Sequence, residues 1–299
     1  MKKRKGIILA GGTGSRLLPI TKAISKQLIP VYDKPMIYYS ISVLLLAKIQ
    51  DIAIIVNPHE LSLFQRLLGD GSEWGVHFTY IPQPKPEGIA QAFILAESYL
   101  DGSPSALILG DNLFFGHGLP ALLDLADRQV KGATVFVHPV ADPKAYGVIE
   151  INQDGKTVAI EEKPAVPKSN LAVTGLYFYD ENASKYARTL NPSKRGELEI
   201  TDLNQLYINN ENEDFHVSIL GRGYAWLDTG SPGSLLKASS LVETIQERQG
   251  LMIGCPEEIS YKNRFIDREG LLNLINKLGH NSYRTYLQGL LEVHESTTV

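Results

Sequence analysis

Three short runs, at residues 5–10, 52–56 and 106–109, are apolar at consecutive positions rather than alternate ones. That pattern marks strands buried on both faces, as in a parallel sheet, rather than strands with one wet face. Between them, residues 36–48 and 88–100 carry apolar side chains at helical spacing. Strand alternating with helix predicts right-handed crossovers and an α/β fold, a doubly wound, mostly parallel sheet with helices on both faces. From about residue 133 the pattern changes to shorter runs rich in Val, Ile, Tyr and Phe, at 133–139, 147–151, 158–161 and 174–179, with Asp154-Gly155 as a hairpin turn. This part is expected to be a smaller, mixed subdomain. Helices are predicted at 181–190 and 199–209, strands at 215–220 and 224–227. A long helix is expected at 234–248, with Leu235, Ala238, Leu241, Val242 and Ile245 on one face. Short helices follow to the C-terminus. No internal repeat, low-complexity tract or flexible linker interrupts the chain.

Composition narrows the function classes. The 299 residues are 43% hydrophobic, enough for a sizeable core, and 29 basic against 33 acidic residues give a net charge of −4. Without a global positive field, nucleic acid is not expected as the ligand. No apolar run approaches a membrane span, and the N-terminal basic cluster leads into too few apolar residues for a signal peptide. Cys255 stands alone, so neither an internal disulfide nor a cysteine-anchored zinc site is expected, and a reducing cytoplasm fits.

The first strand runs into Gly11-Gly12-Thr13-Gly14-Ser15-Arg16, a turn whose glycines let backbone N–H groups approach an anion. It is neither G-x-G-x-x-G followed by an acidic ribose ligand nor a Walker A loop, which needs Gly-Lys-Ser/Thr. By itself such a turn is equally a tight strand-to-helix connection. Arg16 and Lys26 add two cations near the C-terminal edge of the sheet, where open α/β sheets bind ligands, and so favour a triphosphate. Asp111 follows the strand at 106–109. Its carboxylate is either a turn or cap group or a ligand for Mg²⁺, which takes one or two carboxylates and completes its shell with phosphate and water oxygens.

The spaced pattern Leu9, Gly11, Gly12, Gly14, Arg16, Leu17, Pro19, Thr21, followed by Lys26, Leu28 and Pro30, resembles the signature of the sugar-1-phosphate nucleotidylyltransferases. Segments 25–39, 83–93, 109–116, 161–164, 195–202 and 221–230 resemble the branch of that family that transfers thymidylyl from dTTP to glucose 1-phosphate, and they occur in the expected order. Leu18, Ser40 and Ser231-Pro232-Gly233 depart from the family pattern.

The resemblance implies a Mg²⁺-dependent enzyme that makes dTDP-glucose and pyrophosphate, with Asp111 and Asp228 as metal ligands. It implies that Arg16 neutralises the departing pyrophosphate, that Lys26 contacts the nucleotide phosphates, and that Lys163 and Arg195 hold the sugar phosphate. Nucleotide binding is assigned to Leu9, Gly11, Gly12, Thr13, Gly14, Ser15, Gln27, Gln83, Gly88 and Asp111, with Gln83 reading thymine. Sugar binding is assigned to Asn112, Tyr146, Gly147, Glu162, Lys163, Val173 and Arg195. The alternative for each of these cations is a solvated surface charge, and for Gln83 a loop amide on water. The reacting phosphate is already ionised, so no general base is expected, and His117 and His138 receive no role.

Two other functions fit the same pattern: a uridylyl-, cytidylyl- or guanylyltransferase, and a catalytically silent nucleotide-sugar sensor. The expected organisation is a nucleotidyltransferase domain at 1–254, nucleotide-binding to about 132 and sugar-binding over about 133–230, with a helical extension at 255–299. Leu271, Leu272, Ile275, Leu278, Tyr283, Tyr286, Leu287, Leu290 and Leu291 make that extension more apolar than short terminal helices need. With the resemblance, this predicts a homotetramer carrying a regulatory dTDP-sugar site.

Overall fold

The computed structural model describes residues 2–152, 155–210 and 214–296. Strand β1 (Lys5–Leu9) is followed by a small hairpin of β2 (Pro30–Val31) and β3 (Lys34–Pro35), then α1 (Ile37–Leu46), β4 (Asp51–Val56), α2 (Leu61–Leu68), β5 (His77–Pro82), α3 (Gln91–Leu95), α4 (Glu97–Leu100) and β6 (Ser105–Leu109). β1 pairs in parallel with β4 on one edge and β6 on the other, so that Leu9 lies opposite both Ile55 and Leu109. The sheet grows outward from β1 through β4 to β5, then resumes on the far side of β1 with β6. That reversal opens a crevice beyond the C-terminal ends of β1 and β6, the usual ligand position in such sheets.

Next come β7 (Asn112–Phe115), α5 (Leu119–Arg128), β8 (Ala133–Pro139), β9 (Gly147–Ile151), β10 (Thr157–Glu162), β11 (Leu171–Tyr179), α6 (Ala183–Ala187), α7 (Ile200–Asn209), β12 (Phe215–Ile219) and β13 (Ala225–Asp228). β11 runs antiparallel to β6, with β8 on its other edge, and β12 pairs in parallel with β8. The β9–β10 hairpin joins β11 through Ala172 and Val148. The second half of the chain is therefore mixed, as its shorter strands predict.

Successive residues of the central strands feed two separate cores. Ile8, Ile54 and Ile108 pack with Ile41, Leu44, Phe64 and Leu123 on one face. Ile7, Ile55 and Leu107 pack with Phe93, Ala183 and Leu203 on the other. Consecutive apolar residues are needed because both faces of the sheet are covered.

Some elements differ from the periodicity reading. The helix expected over 88–100 is the short pair α3 and α4, and Gly88, at φ +107°, lies outside it. Only 183–187 of the 181–190 helix forms. α2, β5, β7 and α5 lie in segments whose apolar pattern is too short or too mixed to announce them. Asp154 lies outside the described residues, while Gly155 takes the left-handed backbone suited to a turn.

The long helix α8 (Pro232–Gln249) explains one departure from the family pattern. Ser231 caps it, accepting from the Ser234 backbone while Ser234 Oγ accepts from the Ser231 N–H, and Pro232 occupies the first turn. Ala238 and Val242 on its inner side are buried.

Helices α9 (Pro256–Lys262), α10 (Arg268–Lys277) and α11 (Ser282–Ser296) form a further cluster around Cys255, Leu271, Ile275, Leu287 and Leu291. None of the nine apolar residues singled out in this tail is exposed; four are buried and five half-buried within the chain itself. The tail packs in cis more completely than its composition suggests.

Candidate active site

The register of β1 and β6 brings the glycine turn and Asp111 out of the sheet side by side. A Cβ on Gly12 would meet nothing within 4 Å, so this glycine keeps space open rather than satisfying the fold's own packing. Gly14 is in the left-handed region at φ +61°, and its carbonyl accepts from Thr21 Oγ1 at 2.8 Å, which ties the turn to the segment carrying Lys26. Among the described residues the N–H groups of Gly11, Gly12 and Thr13 donate to no acceptor. Thr13, Ser15 and Arg16 are exposed at the rim, as is Leu18.

Asp111 and Asp228 are 117 positions apart, yet β7 and β13 pair so that Asp228 lies opposite Asn112. Two more contacts seal this junction. Thr229 Oγ1 donates to the Asp111 carbonyl at 2.8 Å, and Ser40 Oγ donates to the Leu109 carbonyl at 3.0 Å. Ser40 thus braces the strand end leading to Asp111.

Lys26 pairs with the Asp111 carboxylate. Burial and the neighbouring Asp111 charge raise the Asp228 pKa, while Lys26, Arg16 and the Gly230 N–H pull it back. The Arg16 guanidinium passes over Gly230, where a Cβ would sit 2.7 Å from Nη2 and 2.9 Å from Asp228 Oδ1.

Asn112 holds Asp111 from behind. Its Oδ1 accepts from Trp226 Nε1 at 2.6 Å and from the Gly175 N–H at 3.0 Å. Both can only donate, so the amide turns Nδ2 toward Asp111 Oδ1, 3.1 Å away.

A cleft of ≈ 200 Å³ brings together Arg16, Asp111, Asn112, Tyr146, Gly147, Glu162, Lys163, Val173 and Asp228 from the sequence reading. Glu162 lies opposite Gly147 in the β9–β10 ladder and accepts from Thr201 Oγ1 at 2.7 Å. A Cβ on Gly147 would lie 3.3 Å from Glu162 Oε2, so a side chain there would crowd the carboxylate. Tyr146 packs against Trp226 at 5.1 Å between ring centres; burial, then the Asp228 charge, raises its phenol pKa. Lys163 has a left-handed backbone, φ +46°, and its N–H donates to the Tyr146 carbonyl. Its ammonium lies 3.4 Å from Glu162.

Other expected residues stand apart from this cleft. Arg195 lies outside the lining, clasped by Glu199 at 3.2 and 2.7 Å, with Glu197 at 3.3 Å and Glu162 at 3.5 Å. The Glu199 hydrogen bonds raise its pKa. Gln27 is buried behind Gly110, accepting from Ser25 Oγ. Leu9 ends β1, its carbonyl accepting from the Gly110 N–H. Gln83, packed against Gly11, and Gly88 also lie outside the lining of this cleft. The Gln83 side chain is 2% exposed, and its Oε1 has no hydrogen-bond partner. It lies so close over Gly11 that a Cβ there would be 2.1 Å away. Gly88 fits against the Leu198 backbone, 2.3 Å from where its Cβ would be.

The residue-by-residue sequence reading misses Trp226, Thr201, Thr229, Gly175, Glu87 and Gln91. Five of these lie within or beside segments that carry the family resemblance, but nothing local marks their side chains as site-forming. Gly175 has no such signal.

Known proteins resemble this chain over most of its length. The nucleotidyl transferase family profile matches residues 5–245. The glucose-1-phosphate thymidylyltransferase of Xanthomonas campestris pv. campestris is 58% identical over 290 residues, covering 97% of this chain and 98% of its own. That of Neisseria meningitidis serogroup A is 52% identical over 288 residues, covering 96% and 99%. A crystal structure of a Bacillus anthracis protein described as a glucose-1-phosphate thymidylyltransferase, in complex with sucrose, superposes with a TM-score of 0.73 at 43% identity, covering 80% of this chain and 94% of its own. With its family profile spanning the whole sheet and both carboxylates, this chain belongs to the nucleotidyl transferase family.

Proposed function

We propose that the protein transfers thymidylyl from dTTP to glucose 1-phosphate. A phosphate oxygen of the sugar attacks the α-phosphorus in line; the α–β phosphoanhydride bond breaks, and pyrophosphate leaves with the bonding electrons, giving dTDP-glucose. The reading rests above all on the convergence of Arg16, Lys26, Asp111 and Asp228 at the mouth of the glycine turn. Relatives at 58% and 52% identity that bear this activity's name support it.

The chain's residues act by position and charge, since the attacking oxygen is already an anion and needs no base. The Gly11–Thr13 N–H groups cradle the triphosphate. Arg16 offsets charge building on the leaving pyrophosphate, and Lys26 exchanges its Asp111 contact for a nucleotide phosphate. Lys163 orients the sugar phosphate, with Arg195 as an outer cation released from Glu199. Glu162, held by Thr201, accepts from sugar hydroxyls above Gly147 and Val173, and Gln83 and Gly88 read the base.

Asp111 and Asp228 suit a Mg²⁺ ion: the β7–β13 pairing brings the two carboxylates into one cleft, where burial first and the Asp111 charge second raise the Asp228 pKa. When bound there, the ion would neutralise triphosphate charge. Among the described residues no cluster of three or more His, Cys, Asp or Glu side chains forms a site made wholly of protein ligands, consistent with an ion completed by substrate.

The reading extends to organisation and assembly. We divide the chain into a catalytic domain at 1–254, with nucleotide and sugar parts meeting near residue 132, and a helical extension at 255–299. A cavity of ≈ 500 Å³ between α1, residues 114–124 and residues 251–263, lined among others by His117, Glu258 and Lys262, is the candidate regulatory dTDP-sugar site of a homotetramer. Exposed Tyr32 and Leu236 and the half-buried tail residues offer surface for subunit contacts. A cytoplasmic location agrees with the free, buried Cys255.

Turnover of glucose 1-phosphate with dTTP, UTP, CTP and GTP in turn tests the reading. Preferred release of pyrophosphate from dTTP is expected. Preference for GTP, or no turnover with any of the four, would overturn it.

A further inference from the structure

The unpartnered Gln83 Oε1 is the end of a chain of side-chain amides. Gln83 Nε2 donates to Gln91 Oε1 at 2.7 Å. Gln91 Oε1 also accepts from the Glu87 backbone N–H at 3.0 Å, and Gln91 Nε2 donates to the Glu87 carboxylate at 2.8 Å. An amide has a donor end and an acceptor end that look alike in shape, so its orientation follows only from its partners. Glu87 supplies both in unambiguous form: a backbone N–H, which can only donate, and a carboxylate, which can only accept. Gln91 therefore has one satisfied orientation, with its oxygen toward Gln83. Gln83 must then turn its NH₂ group to Gln91 and its oxygen toward Gly11. Reversing either amide would bring two donors or two acceptors together in a buried place, where Gln83 and Gln91 are 2% and 8% exposed.

We propose that Gln91 and Glu87 are positioning residues that lock the Gln83 amide, so that the site accepts a pyrimidine carrying N3–H and rejects one with a bare N3. The inference rests on the reading of Gln83 as the base-reading residue. Thymine and uracil present N3–H beside the O4 acceptor. These match the locked Gln83 Oε1 and the second hydrogen of its Nε2, the first being given to Gln91. Cytosine presents a bare N3 acceptor beside an NH₂ donor, the reverse pattern, which Gln83 could match only by turning over. Cytosine thus meets acceptor against acceptor and donor against donor, and the lock prevents relief. The same geometry accounts for glycine at position 11, because any side chain there would strike the acceptor.

The test compares initial rates of pyrophosphate release from dTTP and dCTP, with glucose 1-phosphate, in the full-length protein and two variants. Gln91→Met keeps the volume of Gln91 but frees Gln83. The ratio of kcat/KM for dTTP over dCTP is expected to fall by about tenfold or more, through KM, with kcat for dTTP little changed. The double variant Glu87→Gln with Gln91→Glu exchanges the partners. A carboxylate at 91 can only accept from Gln83, and an amide at 87 can donate to it, so the ratio is expected to return toward that of the unaltered protein. Simple loss of packing would not be rescued by this exchange. An unchanged ratio in Gln91→Met would overturn the lock, and so would a collapsed ratio in the exchanged variant. If Gln91→Met does not fold, the exchanged variant alone decides between the two results. An unaltered protein that prefers dTTP to dCTP while the variants fail these expectations loses only the lock. One that shows no preference between them loses the reading of Gln83 itself.

Discussion

The two groups of residues to which the proposed function assigns the phosphates and the base are built in opposite ways. On the side assigned to sugar and phosphate, Arg195, Lys163 and Lys26 are each paired with a nearby carboxylate, so binding an anion there would mean exchanging one ionic partner for another. On the side assigned to the base, the buried amides of Gln83 and Gln91 run from the exposed Glu87 carboxylate to a terminal oxygen that is buried and unshared. Exchange among charges suits groups that must follow phosphate through a reaction and release it. A fixed neutral acceptor suits a base that does not react. Rate is therefore expected to depend on the charged group, and selectivity on the amides.

The largest test of that contrast removes charge where it changes during the reaction. Asp111→Asn or Asp228→Asn should lower kcat by at least about 10²-fold, the scale of losing a preorganised charge-stabilising group. Steady-state rates, with and without a divalent-ion chelator, check this, and full turnover in excess chelator would contradict it. Arg16→Ala should come next, with kcat reduced more than KM is raised, because pyrophosphate gains charge mainly in the transition state. A raised KM for dTTP with intact kcat would make Arg16 a binding group only.

Gln83→Ala should act through KM for dTTP and weaken the preference for dTTP and UTP over CTP, leaving kcat nearly intact. An unchanged base preference would move base reading off these amides. Arg195→Ala should be milder still. An exposed cation already shared among three carboxylates contributes at the scale of surface ion pairs, so a rise of about fivefold or less in KM for glucose 1-phosphate is expected. A loss in kcat as large as that of Arg16→Ala would place Arg195 on the reacting phosphates.

The smallest effect lies outside both groups, at Glu257. Its carboxyl is buried beneath Tyr283 and Cys255, and burial raises its pKa above the ordinary 4.5. A raised carboxyl pKa favours the folded state below the ordinary value, and that contribution disappears as pH rises through the folded-state pKa. Relative to the parent protein, Glu257→Gln should therefore gain Tm as pH is raised from about 4 to 7. A Tm difference that does not change with pH would show that Glu257 does not titrate differently on folding.

Much of this architecture is written locally in the chain. Consecutive apolar residues within 5–10, 52–56 and 106–109 demand cover on both faces, and Gly11, Gly12 and Gly14 let the backbone turn sharply where β1 ends. Such features arise from sterics and burial within a few residues and can be read in order. Long-range pairing cannot. The meeting of Asp111 with Asp228 depends on the β7–β13 register, which no periodicity across 117 positions encodes. Of the partners of Arg195, Glu197 and Glu199 are local, but Glu162 joins them only because α7 packs against β10, and the tail's apolar residues became largely internal because three short helices close on one another. The orientation of Gln83 lay hidden for a different reason. Gln91 and Glu87 are in plain view four residues apart, but an amide has no intrinsic direction, and only the packed loop decided which end of each would face the next.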